Sequence, residues 1–232
     1  MTRSTRVDAR TERWRAHRVR MREEFVDAAV RALDALGPGV SMGDIAREAG
    51  AAKPKLYRHF EDKTDLYDAV VDRMRELLWA RIADVADLTA DPVRGLIGRA
   101  VTEYVLVVDQ HPNVFRFLLH SHFTRNAGES ERALRSARRS ARWAAELVAA
   151  EVGDSELDVS GLELVNYSVF GAVASATDWW LGSDRSEPAP MPVERFVAYL
   201  GAIVTALVEA GSRLHGIVLD LDASLAQAVE RG

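Results

Sequence analysis

The chain has 232 residues, is 48% apolar and 28% charged, and carries a formal net charge of −5, a balance that supplies one large or two small domains and excludes a fibrous or disordered chain. It contains no cysteine, which removes disulfide frameworks, thiolate metal cages and cysteine nucleophiles. The Arg-rich start has no apolar h-region behind it and no run of about 18 apolar residues follows, so neither a secretory signal nor a membrane span is expected and the chain reads as cytoplasmic.

The charge is unevenly placed. Residues 1–60 hold 13 Lys or Arg against 8 Asp or Glu, whereas residues 61–232 hold 17 against 27. One end is drawn to a polyanion and the other is repelled by it. Residues 1–22 carry eight arginines and two acids, and residues 1–17 are read as a basic arm, with a solvated tail as the bland alternative.

Apolar residues recur mainly at helical spacing, so the expected class is all-α. A first helix is predicted from about Arg18 to Leu36, with Phe25, Val26, Ala29, Leu33 and Leu36 as its apolar stripe and Gly37-Pro38-Gly39 as its end. Ser41 precedes a short second helix, Met42 to Ala49, with Asp44 in a capping-box position. After Gly50-Ala51-Ala52 a third helix begins, where Pro54 is tolerated because a first-turn N–H has no intrahelical partner. Leu56, Tyr57 and Phe60 form its apolar side, and Lys53, Lys55, Arg58 and His59 make it cationic. Asp62 is the expected N-cap of a fourth helix running to about Ala80. Further helices are predicted near 92–109, 113–124, 129–151, 160–181, 192–215 and 221–230, separated by Pro- and Gly-marked breaks. The organisation expected is a basic arm (1–17), a three-helix module containing a helix-turn-helix (18–80) and a larger helical domain (81–232).

Two short helices joined by a tight turn, the second cationic, form a unit that fits a DNA major groove while the first helix braces it across the backbone. Lys53 and Lys55 lie near the amino end of the second helix, and Tyr57 and His59 supply donors for phosphate oxygens. The stretch from Ser41 to Val71 closely resembles the DNA-binding segment of the TetR family of transcriptional regulators. Ile45, Ala46, Ala49 and Gly50 match the first half of the helix-turn-helix signature, and Leu56, Tyr57, Phe60, Lys63 and Leu66 match the second. The resemblance covers about residues 22 to 75. It implies a homodimer whose third helices enter successive major grooves of a pseudo-palindromic operator, with Tyr57 on phosphate, Lys55 facing the groove, Lys63 reaching the backbone and Phe60 fixing the third helix on the module. Arg47, outward on the bracing helix, is a further phosphate candidate, as are Arg15, Arg18 and Arg22. Ala51-Ala52 stand where the family commonly has valine and serine, so a hydroxyl that could cap the third helix is missing.

The resemblance also implies an effector pocket and a dimer surface in the larger domain. Tyr104, Phe115, Phe117, Phe123, Trp143, Tyr167, Phe170, Trp179 and Trp180 fall on several helices and offer material for an apolar effector site, with Asn166 and Asp178 as polar groups to orient the ligand. Ordinary core packing explains the same aromatics. Gly161, Gly171, Gly201, Ala202, Ala206 and Gly211 on the last two long helices permit close approach, and the resemblance implies a four-helix dimer contact there. No Gly-rich phosphate loop, G-x-S-x-G or HExxH occurs, and His120 and His122 are two apart and diverge on a helix, so neither an enzyme nor a metal or cofactor site is expected. The reading is a repressor released by a small, largely apolar effector; the alternative is a helical adaptor without ligand-controlled DNA binding.

Overall fold

In the computed structural model the described residues are 5–87, 89–123, 138–139, 141–142, 145–146, 158–182, 190–214, 217–224 and 227–231. Among them eight helices have defined bounds: α1 (Thr5–Leu36), α2 (Met42–Glu48), α3 (Lys53–Leu56), α4 (Lys63–Val85), α5 (Val93–Gln110), α6 (Pro112–Phe123), α7 (Val159–Leu181) and α8 (Val193–Leu214). The class is all-α, with one two-stranded antiparallel ribbon formed by β1 (Ile217–Leu219) and β2 (Val229–Arg231), in which Ile217 pairs with Arg231 and Leu219 with Val229. The chain divides into two compact units, one comprising Met1–Glu76 with Asn113–Leu118, the other Leu77–Pro112 with Leu119–Gly232.

Two elements differ from the sequence expectation. The first helix starts at Thr5 and not near Arg18. Nothing between Thr5 and Leu36 breaks a helix, since the stretch lacks both Gly and Pro; the apolar stripe begins late, and the helix does not. The helix expected over 221–230 is absent, and the ribbon takes its place. Asp220 accepts from the Asp222 backbone N–H at 2.9 Å, an Asx turn that competes with helix formation. The carbonyls of Ala223 and Leu221 then accept from Val93 and Arg94 at 3.0 and 2.9 Å, so this segment satisfies the first N–H groups of α5. Leu221 and Ala228 are buried against Val93, and Arg94 pairs with Asp222 at 3.0 Å.

In the first unit the buried face of α1 carries Phe25, Val26, Ala29 and Leu33, joined by Ile45, Ala46, Leu56, Phe60, Leu66 and Val70. Leu36, expected on that stripe, is 60% exposed, because Gly37 at φ 91° turns the chain away immediately after it. The first turns of α6 also belong to this unit. The Asn113 amide donates to the Asp34 carbonyl at 2.9 Å, and the Tyr67 hydroxyl donates to the Leu118 carbonyl at 3.1 Å.

In the second unit α8 packs against both α5 and α7. A Cβ on Gly211 would lie 2.6 Å from Val165 Cγ2, so at this point the two helices approach closely because a side chain is missing. Gly171 and Gly201 have open space around the same position. Trp180 stacks on Phe196 with ring centroids 4.6 Å apart, and its indole N–H donates to the Met191 carbonyl at 2.9 Å, tying the end of α7 to the start of α8.

Candidate nucleic-acid interface

The bracing helix α2 begins with the expected capping box. The Asp44 N–H donates to Ser41 Oγ at 3.2 Å, and the Ser41 N–H donates to Asp44 Oδ2 at 3.1 Å. The Ser41 hydroxyl bonded to Asp44 is the largest of the causes that hold its carboxyl below the ordinary range. The helix closes in a Schellman motif, with Gly50 at φ 61°, its N–H on the Arg47 carbonyl at 3.0 Å and the Ala51 N–H on the Ala46 carbonyl at 2.9 Å. This closure sets the tight turn into α3. Any L-residue at position 50 would be held in a left-handed conformation.

Helix α3 is a single turn. Pro54 sits in its first turn as expected, and Ala52 at the N-cap makes no side-chain cap bond. Leu56 and Phe60 are 0% and 1% exposed, while Lys53, Pro54, Lys55, Tyr57 and Arg58 face solvent. Tyr57 therefore does not lie on the apolar side with Leu56 and Phe60. At 45% exposure its ring is outside, with Lys53 Nζ 5.9 Å from its centroid. A helix this short cannot hold itself; the buried Leu56 and Phe60 keep it in place.

His59 is half-buried, its ring 5.4 Å from that of Phe25. Burial, followed by the charges of Arg18, Lys55, Arg22 and His17, lowers its pKa from the ordinary histidine value. Arg18 and Arg22 on α1 and Lys55 on α3 thus share one cationic neighbourhood around His59. Lys63, first residue of α4, is exposed, with its ammonium 5.6 Å from the Phe117 ring. Asp62 caps α4 as expected, accepting from the Thr64 and Asp65 N–H groups at 2.8 Å each. Arg47 is 77% exposed and leans back on Asp44 at 3.0 Å. Lys53, Lys55, Tyr57, His59 and Lys63 thus lie on or beside the α3–α4 corner, and Arg47 on α2.

The sequence reading did not find the group that ties this corner together. Arg22 Nη2 donates to Asp65 Oδ1 at 2.6 Å, Arg22 Nη1 donates to Asp65 Oδ2 at 3.2 Å and also to the His59 carbonyl, and the guanidinium lies 4.2 Å from the Phe60 ring centroid. Asp65 in turn accepts from the Glu61 N–H at 3.1 Å. The Arg22 hydrogen bond is the main cause that holds the Asp65 carboxyl below its ordinary value. Forty-three positions separate Arg22 and Asp65, and no local pattern links them.

The aromatic residues expected to form a pocket do not share one environment. Tyr104 is half-buried, its hydroxyl 2.9 Å from Thr177 Oγ1, and desolvation pushes its pKa up to about 12. Phe115 is 9% exposed and belongs to the first unit. Asn166 and Tyr167 are half-buried, with the Arg138 guanidinium 5.9 Å from the Tyr167 ring, whereas Phe170 and Trp179 are 40% and 56% exposed. Trp143 and the side chain of Phe123 lie outside the described residues, as does most of the segment expected to be helical over 129–151. Among the described residues no group of three or more His, Cys, Asp or Glu could hold a metal ion, and no helix is long and apolar enough to cross a membrane.

A short exposed cationic helix, braced by a capped partner across a glycine turn, defines a helix-turn-helix DNA-binding regulator. Residues 25–70 match the family described as bacterial regulatory proteins, tetR family. The chain is 31% identical over 217 residues to the HTH-type transcriptional regulator Rv0472c of Mycobacterium tuberculosis, an alignment that spans 91% of this chain and 89% of that relative. It belongs to the TetR family of transcriptional regulators. Solved structures share the fold: a TetR-family regulator from Streptomyces coelicolor superposes with a TM-score of 0.61 at 23% identity, over 84% of this chain and 83% of that one. The Bacillus subtilis regulator FadR, in complex with stearoyl-CoA, superposes with a TM-score of 0.55 at 16% identity, over 80% and 97% of the two chains.

Proposed function

We propose that this TetR-family regulator is a cytoplasmic repressor that binds a pseudo-palindromic operator as a homodimer and leaves it when a small, largely apolar effector binds. In this reading residues 1–17 are an arm, 18–80 the DNA-binding domain and 81–232 the regulatory and dimerisation domain. Lys53, Lys55 and Tyr57 meet the groove and its phosphates, with Arg47, His59 and Lys63 at the backbone. The carrying observation is the exposure of Lys53, Lys55 and Tyr57 on and just after a one-turn helix anchored by the buried Leu56 and Phe60.

One turn of helix offers too few contacts for a specific site, and two rigidly joined copies supply the deficit. The self-association surface in this reading is a face of apolar and small residues on the last two long helices. On α7 the exposed residues include Leu164, Ser168, Ser175 and Trp179, and on α8 they are largely Ala198, Tyr199, Ala202, Ile203, Ala206 and Ala210. Each set recurs at helical spacing and so forms one stripe. For the effector, the support is the apolar surroundings of α5 and α7 and the acyl ligand of FadR on the same fold. Within the second unit Tyr104, Asn166, Tyr167 and Phe170 are then the candidates to meet the ligand. An effector that prefers a dimer with misplaced α3 helices lowers operator affinity by the same coupling free energy that DNA exerts against the effector.

The test is selection of duplexes from a random-sequence library by the full chain at several salt concentrations, with the mass of the free and bound protein measured by sedimentation. An enriched palindrome bound by two chains is the expected result. Salt-steep binding without sequence enrichment, or a monomer at micromolar concentration, would overturn the reading and favour the helical adaptor. For the selected duplex, Lys55→Ala combined with Tyr57→Phe is expected to weaken binding with helix content unchanged.

A further inference from the structure

The arginines of residues 1–22 look alike in sequence, and charge alone would assign them all to phosphate. Arg22 differs in what it touches. Its two terminal nitrogens hold both oxygens of Asp65, one of them also donates to the His59 carbonyl, and the flat guanidinium covers the Phe60 ring at 4.2 Å. All of these partners lie at the corner between α3 and α4. Asp65 is further fixed by the Glu61 N–H at 3.1 Å, and the adjoining Asp62 caps α4.

Leu56 and Phe60 set how deeply α3 sits, but an apolar plug leaves rotation about its own axis weakly determined. A planar, bidentate fork has a fixed direction and so determines that angle. Lys55 and Tyr57 ride on this turn, and their reach toward a groove depends on the angle. We propose that Arg22 is a positioning residue for DNA recognition: it sets the direction of α3 through Asp65 and the His59 carbonyl, and does not itself bind phosphate. The inference rests on the DNA-binding reading above.

Two consequences separate this role from a phosphate contact. Loss of a phosphate contact lowers the slope of log K against log salt by about one, whereas loss of a positioning residue leaves the slope in place. Asp65→Asn removes a negative charge near the nucleic acid, so simple electrostatics strengthens binding, whereas a positioning role weakens it.

The experiment measures binding of the full chain to the palindrome most enriched by the wild-type protein and to a scrambled duplex of equal length, across a salt series. It uses Arg22→Met, Arg22→Lys, Asp65→Asn and Arg22→Met/Asp65→Asn, with Lys55→Ala as the phosphate or base-contact benchmark and circular dichroism to establish folding at the assay temperature. The expected result is an approximately tenfold fall in affinity for the palindrome with Arg22→Met and with Asp65→Asn. The double variant is expected to fall no further than Arg22→Met, with a reduced ratio of palindrome to scrambled binding and unchanged salt slopes. A folded Arg22→Met chain whose slope falls by about one, beside an Asp65→Asn chain that binds as well as or better than wild type, overturns the proposal. Unchanged affinity and ratio in both folded variants overturns it as well. If Arg22→Met does not fold, Arg22→Lys and Asp65→Asn are judged by the same criteria. A wild-type chain that discriminates no duplex overturns the regulator reading itself, a result distinct from any of these.

Discussion

The two units of this chain are held together in different ways. In the first, directional polar links join the helices. Arg22 grips Asp65, Arg31 meets Glu48 at 2.9 Å, Arg73 meets Asp27 at 3.0 Å, and Asn113 caps the end of α1 through the Asp34 carbonyl. The second unit has polar links too, Arg81 to Gln110 at 2.6 Å and Arg94 to Asp222 at 3.0 Å, but its two last long helices meet largely by shape: Val165 lies over the bare Gly211 and Trp180 is flat on Phe196. Exposed ion pairs contribute little stability, so the links of the first unit matter mainly for direction. Apolar surfaces set a distance and tolerate sliding, whereas hydrogen-bonded forks set an angle. A module that must fit the groove of a duplex needs the angle.

Phe60 carries the largest expected effect. If the apolar plug carries the stability of the first unit and the polar links carry only its direction, Phe60→Ala should cost about 3–5 kcal/mol, read as a lower midpoint in urea denaturation. A cost below about 1 kcal/mol would mean that the ion pairs hold the corner unaided and would reverse the assignment. In the second unit the matching change is Gly211→Ala, which sets a methyl 2.6 Å from Val165 Cγ2. Overpacking of this kind costs about 1–3 kcal/mol. Val165→Ala should restore much of that loss in the double variant, because it removes the atoms that clash. Additive losses in thermal denaturation would show that α7 and α8 do not meet at this point.

Much of this arrangement was legible in the sequence, for local reasons. The Ser41–Asp44 box, the Asp62 cap, Pro54 in the first turn of α3 and the glycine turn at Gly50 each depend on residues within a few positions of one another, and each appears where the pattern placed it. The helix-turn-helix was legible for the same reason. What escaped were contacts between distant positions. Arg22 and Asp65 carry no signal of their pairing, and Arg22 was grouped with its neighbours by charge alone. The end of the chain was misread because its apolar residues fit a helical period, while the Asx turn at Asp220 and the open N–H groups of α5 favour the ribbon. The pocket aromatics were named by type, and type does not distinguish a half-buried Tyr104 from a Trp179 that is 56% exposed.

The smallest effect tests a polar pair of the second unit. Thr177 Oγ1 donates to the Val173 carbonyl at 2.8 Å, so the bond between it and Tyr104 has the phenol as donor. Tyr104→Phe removes that donor and leaves Thr177 its own bond, so the cost near neutral pH should be about 1 kcal/mol. The pH dependence is more specific. Burial raises the folded-state pKa of Tyr104 from 10.0 to about 12, so between these values the unfolded chain releases a proton that the folded chain keeps. Stability from this group is therefore fully present below pH 10 and falls as the pH rises toward 12. Denaturant midpoints for wild type and Tyr104→Phe across that range should converge as the pH increases, because only the wild type has this phenol to ionise. Parallel curves would mean that the hydroxyl titrates freely, and the pair would then be as accessible as the polar groups of the first unit.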